Sequence, residues 1–147
     1  MRFYDLKSDY FDNMLRAKKG YAHVLDPICK KWRLTRNELD ILLFLYNNPD
    51  YNRATDIVNR RGIAKSHVSL SVSSLEERGF VTRHVDEHDR RTVHLYLSEV
   101  AKEIAKSGRE AQVGFFKLLY AGLTQEEVDQ WQFIIDKVSK NISEMEL

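Results

Sequence analysis

Apolar residues recur at spacings of three and four over residues 6–32, at Tyr10, Phe11, Met14, Leu15, Tyr21, Leu25, Ile28, Cys29 and Trp32. That period predicts an amphipathic helix. Pro27 falls inside it and predicts a kink, or the start of a short second segment, because its ring clashes with the preceding turn. Thr35 and Glu38 then frame a capping box directly before LDILLFLYNN. A second helix is expected from about Arg36 to Asn47, ending ahead of Pro49. It is apolar on most sides (Leu39, Ile41, Leu42, Phe44, Leu45), which puts it at the centre of the core.

Asn52 can cap a third helix, Arg53 to about Arg61, with Ala54, Ile57 and Val58 inward. Gly62 permits a tight turn. A fourth helix is expected from about Lys65 to Arg78, with Val68, Val72 and Leu75 inward and Gly79 placed for a left-handed cap. Two short helices joined at a glycine form a helix-turn-helix. Residues 80–85 and 92–97 then alternate with period two on either side of the charged run DEHDRR, the pattern of a β-hairpin with a loop longer than two residues.

Ser98 can cap a fifth helix reaching to about Tyr120, a rod of ~35 Å. Gly108 and Gly114 within it permit close approach, and Gly122 ends it. Thr124 and Glu127 make a second capping box. A sixth helix follows, with Val128, Trp131, Ile135, Val138 and Ile142 near a heptad pattern. Too little chain remains to cover these long helices, so a second copy is the economical partner. The fold class expected is mainly α (α+β), in one domain spanning residues 1–147.

Composition narrows this picture. Six Gly and two Pro in 147 residues, with 31% charged residues, fit a helix-rich fold. The formal charge is only +1, so a nucleic-acid partner has to be argued from where charges sit. The longest apolar run, Ile41 to Tyr46, is too short to span a bilayer, and MRFYDLKSDYFD lacks the apolar segment of a signal peptide. A soluble cytoplasmic protein is expected, with no membrane partner. The single cysteine, Cys29, lies on the apolar stripe and is expected to be an inert, buried thiol. No glycine-rich phosphate loop, H-E-x-x-H or G-x-S-x-G occurs, so neither an enzyme nor a cofactor is expected.

The outer face of the fourth helix offers Lys65, Ser66, His67, Ser69, Leu70 and Ser73. A helix entering a major groove is slim and polar there, and its first residues reach base edges and phosphates. Free N–H groups at its start suit a phosphate. Leu70 offers only apolar contact, for example with a thymine methyl. Arg90 and Arg91 stand at the hairpin tip, where a cation fits a narrow, electronegative minor groove, and Asp89 is placed to orient a guanidinium through a bidentate pair. Residues 53–94 hold eight Lys/Arg (53, 60, 61, 65, 78, 83, 90, 91) against six acids. Of these, Arg53 and Arg83 join the tip arginines as candidate DNA contacts. Four of the five histidines lie in this stretch. His84 and His94 face each other across the hairpin, with His88 at its tip. A metal site needs three or four converging ligands, and none is expected. Polar wing residues near phosphates are favoured, with protonation between pH 8 and 6 strengthening binding.

The segments LTRNELDILLFLYNNP, AKSHVSLSVSSLEERGFVTR and DEHDRRTVHLYLS resemble the MarR family of bacterial winged-helix regulators over about residues 8–145. The resemblance is most specific in Asp89 to Ser98 and in the Leu75 to Val81 junction. It implies a winged helix-turn-helix at 34–98, flanked by dimerisation helices at 1–33 and 99–147. The family likeness further implies homodimers in which helices 1, 5 and 6 interlock. Pseudo-palindromic operators and release by a small aromatic or oxidising signal are implied as well. By position Arg90 and Arg91 take the minor-groove role and Lys65 to Ser73 the major-groove role. Leu70 departs from the pattern, since that position is often Arg or another polar residue.

An effector cleft could form where the first helix meets the second and fifth, lined by Arg16, Tyr21, His23 and Trp32. The functional expectation is a homodimeric, DNA-binding transcriptional repressor released by a small molecule. The competing reading is a winged-helix module that binds another protein.

Overall fold

The computed structural model describes residues 9–145; residues 6–8, where the first apolar stripe was expected to begin, lie outside them. The elements are α1 (Asp9–Trp32), α2 (Arg36–Asn47), α3 (Ala54–Arg61), α4 (Lys65–Glu77), β1 (Val81–Val85), β2 (Val93–Leu97), α5 (Glu99–Leu119) and α6 (Gln125–Ser143). The strands form an antiparallel hairpin with Val81 opposite Leu97 and His84 opposite His94. The chain divides after Phe115 into two compact units.

In the first unit α2 is the hub. Leu39, Ile41, Leu42 and Leu43 are fully buried, with Leu25, Ile57, Val68, Val72, Leu75, Val81, Leu95 and Ile104 around them. The expected box at its start is complete: the Thr35 hydroxyl accepts from the Glu38 amide, and the Glu38 carboxylate accepts from the Thr35 amide. The Ser98 hydroxyl caps α5 by accepting from the Ala101 amide.

Four local expectations are corrected. α1 runs through Pro27 as one helix, so of the two expectations there the short second segment does not form; the carbonyl that Pro27 leaves unbonded belongs to His23, and both residues are exposed, so water can satisfy it. Asn52 does not cap α3. Its side-chain oxygen lies 2.6 Å from His94 Nδ1 and its backbone oxygen accepts from Leu95, which leaves Arg53 as the cap residue, its amide donating to Asp56. Both strands begin one residue late, since the Phe80 amide closes the end of α4 on the Leu75 carbonyl and the Thr92 amide closes the tip on Asp89. Gly108 makes the expected close approach, whereas a side chain at Gly114 would meet nothing within 4 Å among the described residues.

Much apolar surface stays open. In the first unit Phe11, Met14 and Leu15 of α1 are more than half exposed. In the second unit the Thr124–Glu127 capping box forms as expected, yet α6 buries no residue, and Trp131, Phe133, Ile134, Val138 and Ile142 are exposed. Among the described residues no helix is long and apolar enough to cross a membrane.

Candidate nucleic-acid interface

The turn between α3 and α4 is set by Gly62 at φ +64°, a left-handed conformation that glycine adopts without a Cβ penalty. α4 then buries Val68, Ser71, Val72 and Leu75 and leaves Lys65, Ser66, His67, Ser69, Leu70 and Ser73 exposed. Its first residue follows Ala64, which supplies no side-chain cap, and its first turn carries no acid. The N-terminal amides therefore face outward beside Lys65, an arrangement suited to an anion.

The far end of α4 is anchored inside the protein. The nearly buried Glu38 accepts from the Ser74 hydroxyl at 2.6 Å. Arg78 donates to the carbonyls of Trp32 and Arg33, which are turned towards it by the left-handed backbone of Arg33 at φ 51°. Its guanidinium also lies over the Phe80 ring. The ends of α1 and α4 and the start of α2 are thereby fixed together, and α4 is held at a set angle.

Several cations counted in the sequence have internal partners. Arg53 is paired with Asp56 at 3.0 Å, and that hydrogen bond holds the Asp56 carboxyl below its usual range. Arg60 stacks on Tyr51. Arg83 donates to Glu76 at 2.7 Å and to the Ser73 hydroxyl at 3.3 Å. Arg61, Lys65, Arg90 and Arg91 remain with no side-chain hydrogen bond or ion pair among the described residues. Apart from the i,i+3 pair of Arg53 with Asp56, this sorting depends on partners farther off in the chain, for which the spacing of the cations carries no signal.

The wing tip is an ordered loop. One oxygen of Asp86 accepts from the amides of His88 and Asp89. Asp89 accepts from the Arg91 amide and the Thr92 hydroxyl, each at 3.0 Å. These are successive Asx-type turns. Asp89 thus orients the tip through its backbone; the bidentate pair expected with a guanidinium is absent among the described residues, which leaves Arg90 and Arg91 extended into solvent. His94 joins the wing to the start of α3, with Nε2 2.9 Å from Asp86 and Nδ1 2.6 Å from Asn52. Asn52 is the positioning residue that the sequence reading missed, because an N-cap preference masks a long-range role. His84 lies edge-on to Tyr96.

The four candidate effector residues do not converge. Arg16 and His23 are exposed and, seven residues apart, share one face of α1. Tyr21 and Trp32 share another and pack against the core, with the Tyr21 hydroxyl accepting from the buried Gln112 and its ring beside Phe115 and Arg36. Burial pushes the Cys29 thiol up, which favours the unreactive protonated form.

Residues 34–92 match the model of the MarR family. Solved structures share the fold along nearly the whole chain. The Staphylococcus aureus MepR–DNA complex superposes with a TM-score of 0.75 at 17% identity, covering 95% of this chain and 99% of that one. A Listeria monocytogenes protein described as a putative MarR family transcriptional regulator, complexed with a 26mer DNA, gives 0.80 at 16%, covering 93% and 90%. A MarR protein from Peptoclostridium difficile gives 0.76 at 19%, covering 97% and 92%. The helix-turn-helix and wing are thus similar in sequence to the MarR family over residues 34–92, and the fold of the chain is that of these solved structures.

Proposed function

We propose that this protein is a sequence-specific, double-stranded DNA-binding transcriptional regulator, acting in the cytoplasm as a homodimeric repressor on a pseudo-palindromic operator and released by a small-molecule signal. One observation carries the DNA reading. Within residues 53–94 the cations without a side-chain hydrogen bond or ion pair among the described residues are Lys65 at the uncapped start of α4, Arg90 and Arg91 at the wing tip, and Arg61 at the end of α3. Those are the places from which a winged helix reaches the major and minor grooves. DNA complexes among proteins of the same fold support it. The dimer is supported by the apolar side chains exposed along α1 and α6, and two copies would set the spacing of two half-sites. Release by a small ligand rests on family likeness, and no cofactor is invoked.

Titration against the protein's own upstream DNA at several salt concentrations tests the proposal. A specific complex tighter than random DNA by ~10³ is the expected result, with half-site centres ~10 base pairs apart or a multiple of that. Binding no tighter than to random DNA overturns it.

A further inference from the structure

Leu70 is 72% exposed, and among the large apolar side chains of the described residues only Leu118 is more so. It sits on α4 opposite the buried Val68, Val72 and Leu75, at the crest of the outward face. Its exposed helical neighbours at one, three and four residues are Ser66, His67, Ser69 and Ser73. Three of these are among the shortest polar side chains, so Leu70 stands above a low polar floor. Ser73 is already engaged by Arg83, which limits what that hydroxyl can read. Unpaired cations lie in the chain on both sides of this face, Arg61 and Lys65 before it and Arg90 and Arg91 after it.

We infer that Leu70 is a specificity-determining residue that reads the 5-methyl group of a thymine in each half-site. The inference rests on the DNA-binding reading above and deepens it. A major-groove edge presents donors and acceptors at every base pair, but only thymine carries an apolar group there. An exposed leucine on a groove-entering helix gains by covering that methyl. Against the edges of guanine, cytosine or adenine it would leave their polar groups without partners. The serines around it let the helix come close enough for contact while accepting hydrogen bonds from either sense of base pair. The chain thus contributes an apolar reader where a polar one would select a purine.

The test uses the full chain and the duplex recovered by selection from a randomised library. Each thymine of that duplex is replaced in turn by deoxyuridine, which removes only the methyl, and affinity is measured by fluorescence anisotropy for the wild type and for Leu70→Ala. Circular dichroism checks the fold, which an exposed truncation leaves intact. The wild type should lose about fourfold at one thymine per half-site, the value for removing one buried methyl. Leu70→Ala should bind the thymine duplex more weakly and be indifferent to that substitution. Insensitivity of the wild type to every replacement overturns the inference while leaving DNA binding in place. So does equal sensitivity in Leu70→Ala. A change of oligomeric state in Leu70→Ala by sedimentation would assign the side chain to a protein contact and also overturn it. Failure to select any sequence over random DNA refutes the DNA-binding reading, and the methyl reader falls with it.

Discussion

Arg83 Nε, on the first strand of the wing, donates to the Glu76 carboxylate of α4 at 2.7 Å. Both side chains are about two-fifths exposed, so the pair contributes under ~1 kcal/mol to stability. On the proposed DNA-binding reading its effect on binding is larger, because it couples wing to helix and neutralises an acid beside the proposed DNA face. Arg83→Ala should leave thermal stability nearly unchanged and weaken operator binding about tenfold, the ratio for ~1.4 kcal/mol. Glu76→Ala added to Arg83→Ala should recover part of that loss. A double variant as weak as the single one would show that Arg83 contacts DNA directly.

The tip makes a separate prediction. Arg90 and Arg91 have no side-chain partner among the described residues, and the loop that presents them is held by backbone bonds to Asp86 and Asp89. Replacing both arginines by Ala should therefore spare the fold. Each phosphate neutralised contributes ~0.9 to the slope of log affinity against log salt, and a homodimer carries four of these arginines, so the slope should fall by about four and affinity at 0.15 M salt by roughly a thousandfold. Anisotropy titrations at four or more salt concentrations read both. An unchanged slope would favour the protein-interaction reading of the wing.

How much of this was legible depended on whether the signal was local. The two capping boxes, the left-handed Gly62 and Gly79 and the His84–His94 register follow from short-range rules, and each is present. Asn52 carries a strong local preference to cap a helix, but His94 and Leu95, far along the chain, claim its side-chain and backbone oxygens. Asp89 reads as a partner for arginine because charge is visible in a sequence, whereas the geometry of a seven-residue tip is not. The effector quartet spans two faces of α1, Arg16 and His23 on one and Tyr21 and Trp32 on another, a matter of helical phase.

Acid should loosen the wing in a defined window. The hydrogen bond from His94 holds the Asp86 carboxyl below the usual carboxylate range, and the His88 and Asp89 amides add to this. A depressed folded value means that the stabilisation is complete above the unfolded value near ~4 and is lost as pH falls through the folded one. Protection of the His88 and Asp89 amides should thus be flat from pH 8 to 5 and drop below about 4. Asp86→Asn should show weak protection at every pH.

Two glycines of α5 should respond in opposite directions to the same substitution. A Cβ on Gly108 would stand 2.7 Å from Leu43 Cδ2 and 3.3 Å from its Cγ. Leu43 is fully buried, so it has no free space into which to turn, and overpacking of this kind costs ~1–3 kcal/mol. The gain in helix propensity from Gly to Ala, up to ~1 kcal/mol, offsets only part of it. Gly108→Ala should lower the melting temperature by a few degrees, at about 2–4 °C per kcal/mol for a chain of this size. Gly114→Ala meets no atom within 4 Å among the described residues, so the propensity term stands alone and melting should rise by a similar small amount. Sedimentation run beside the melts separates the two sites further. If Gly114→Ala weakens self-association instead of raising stability, the close approach expected there from the sequence is made to the second copy.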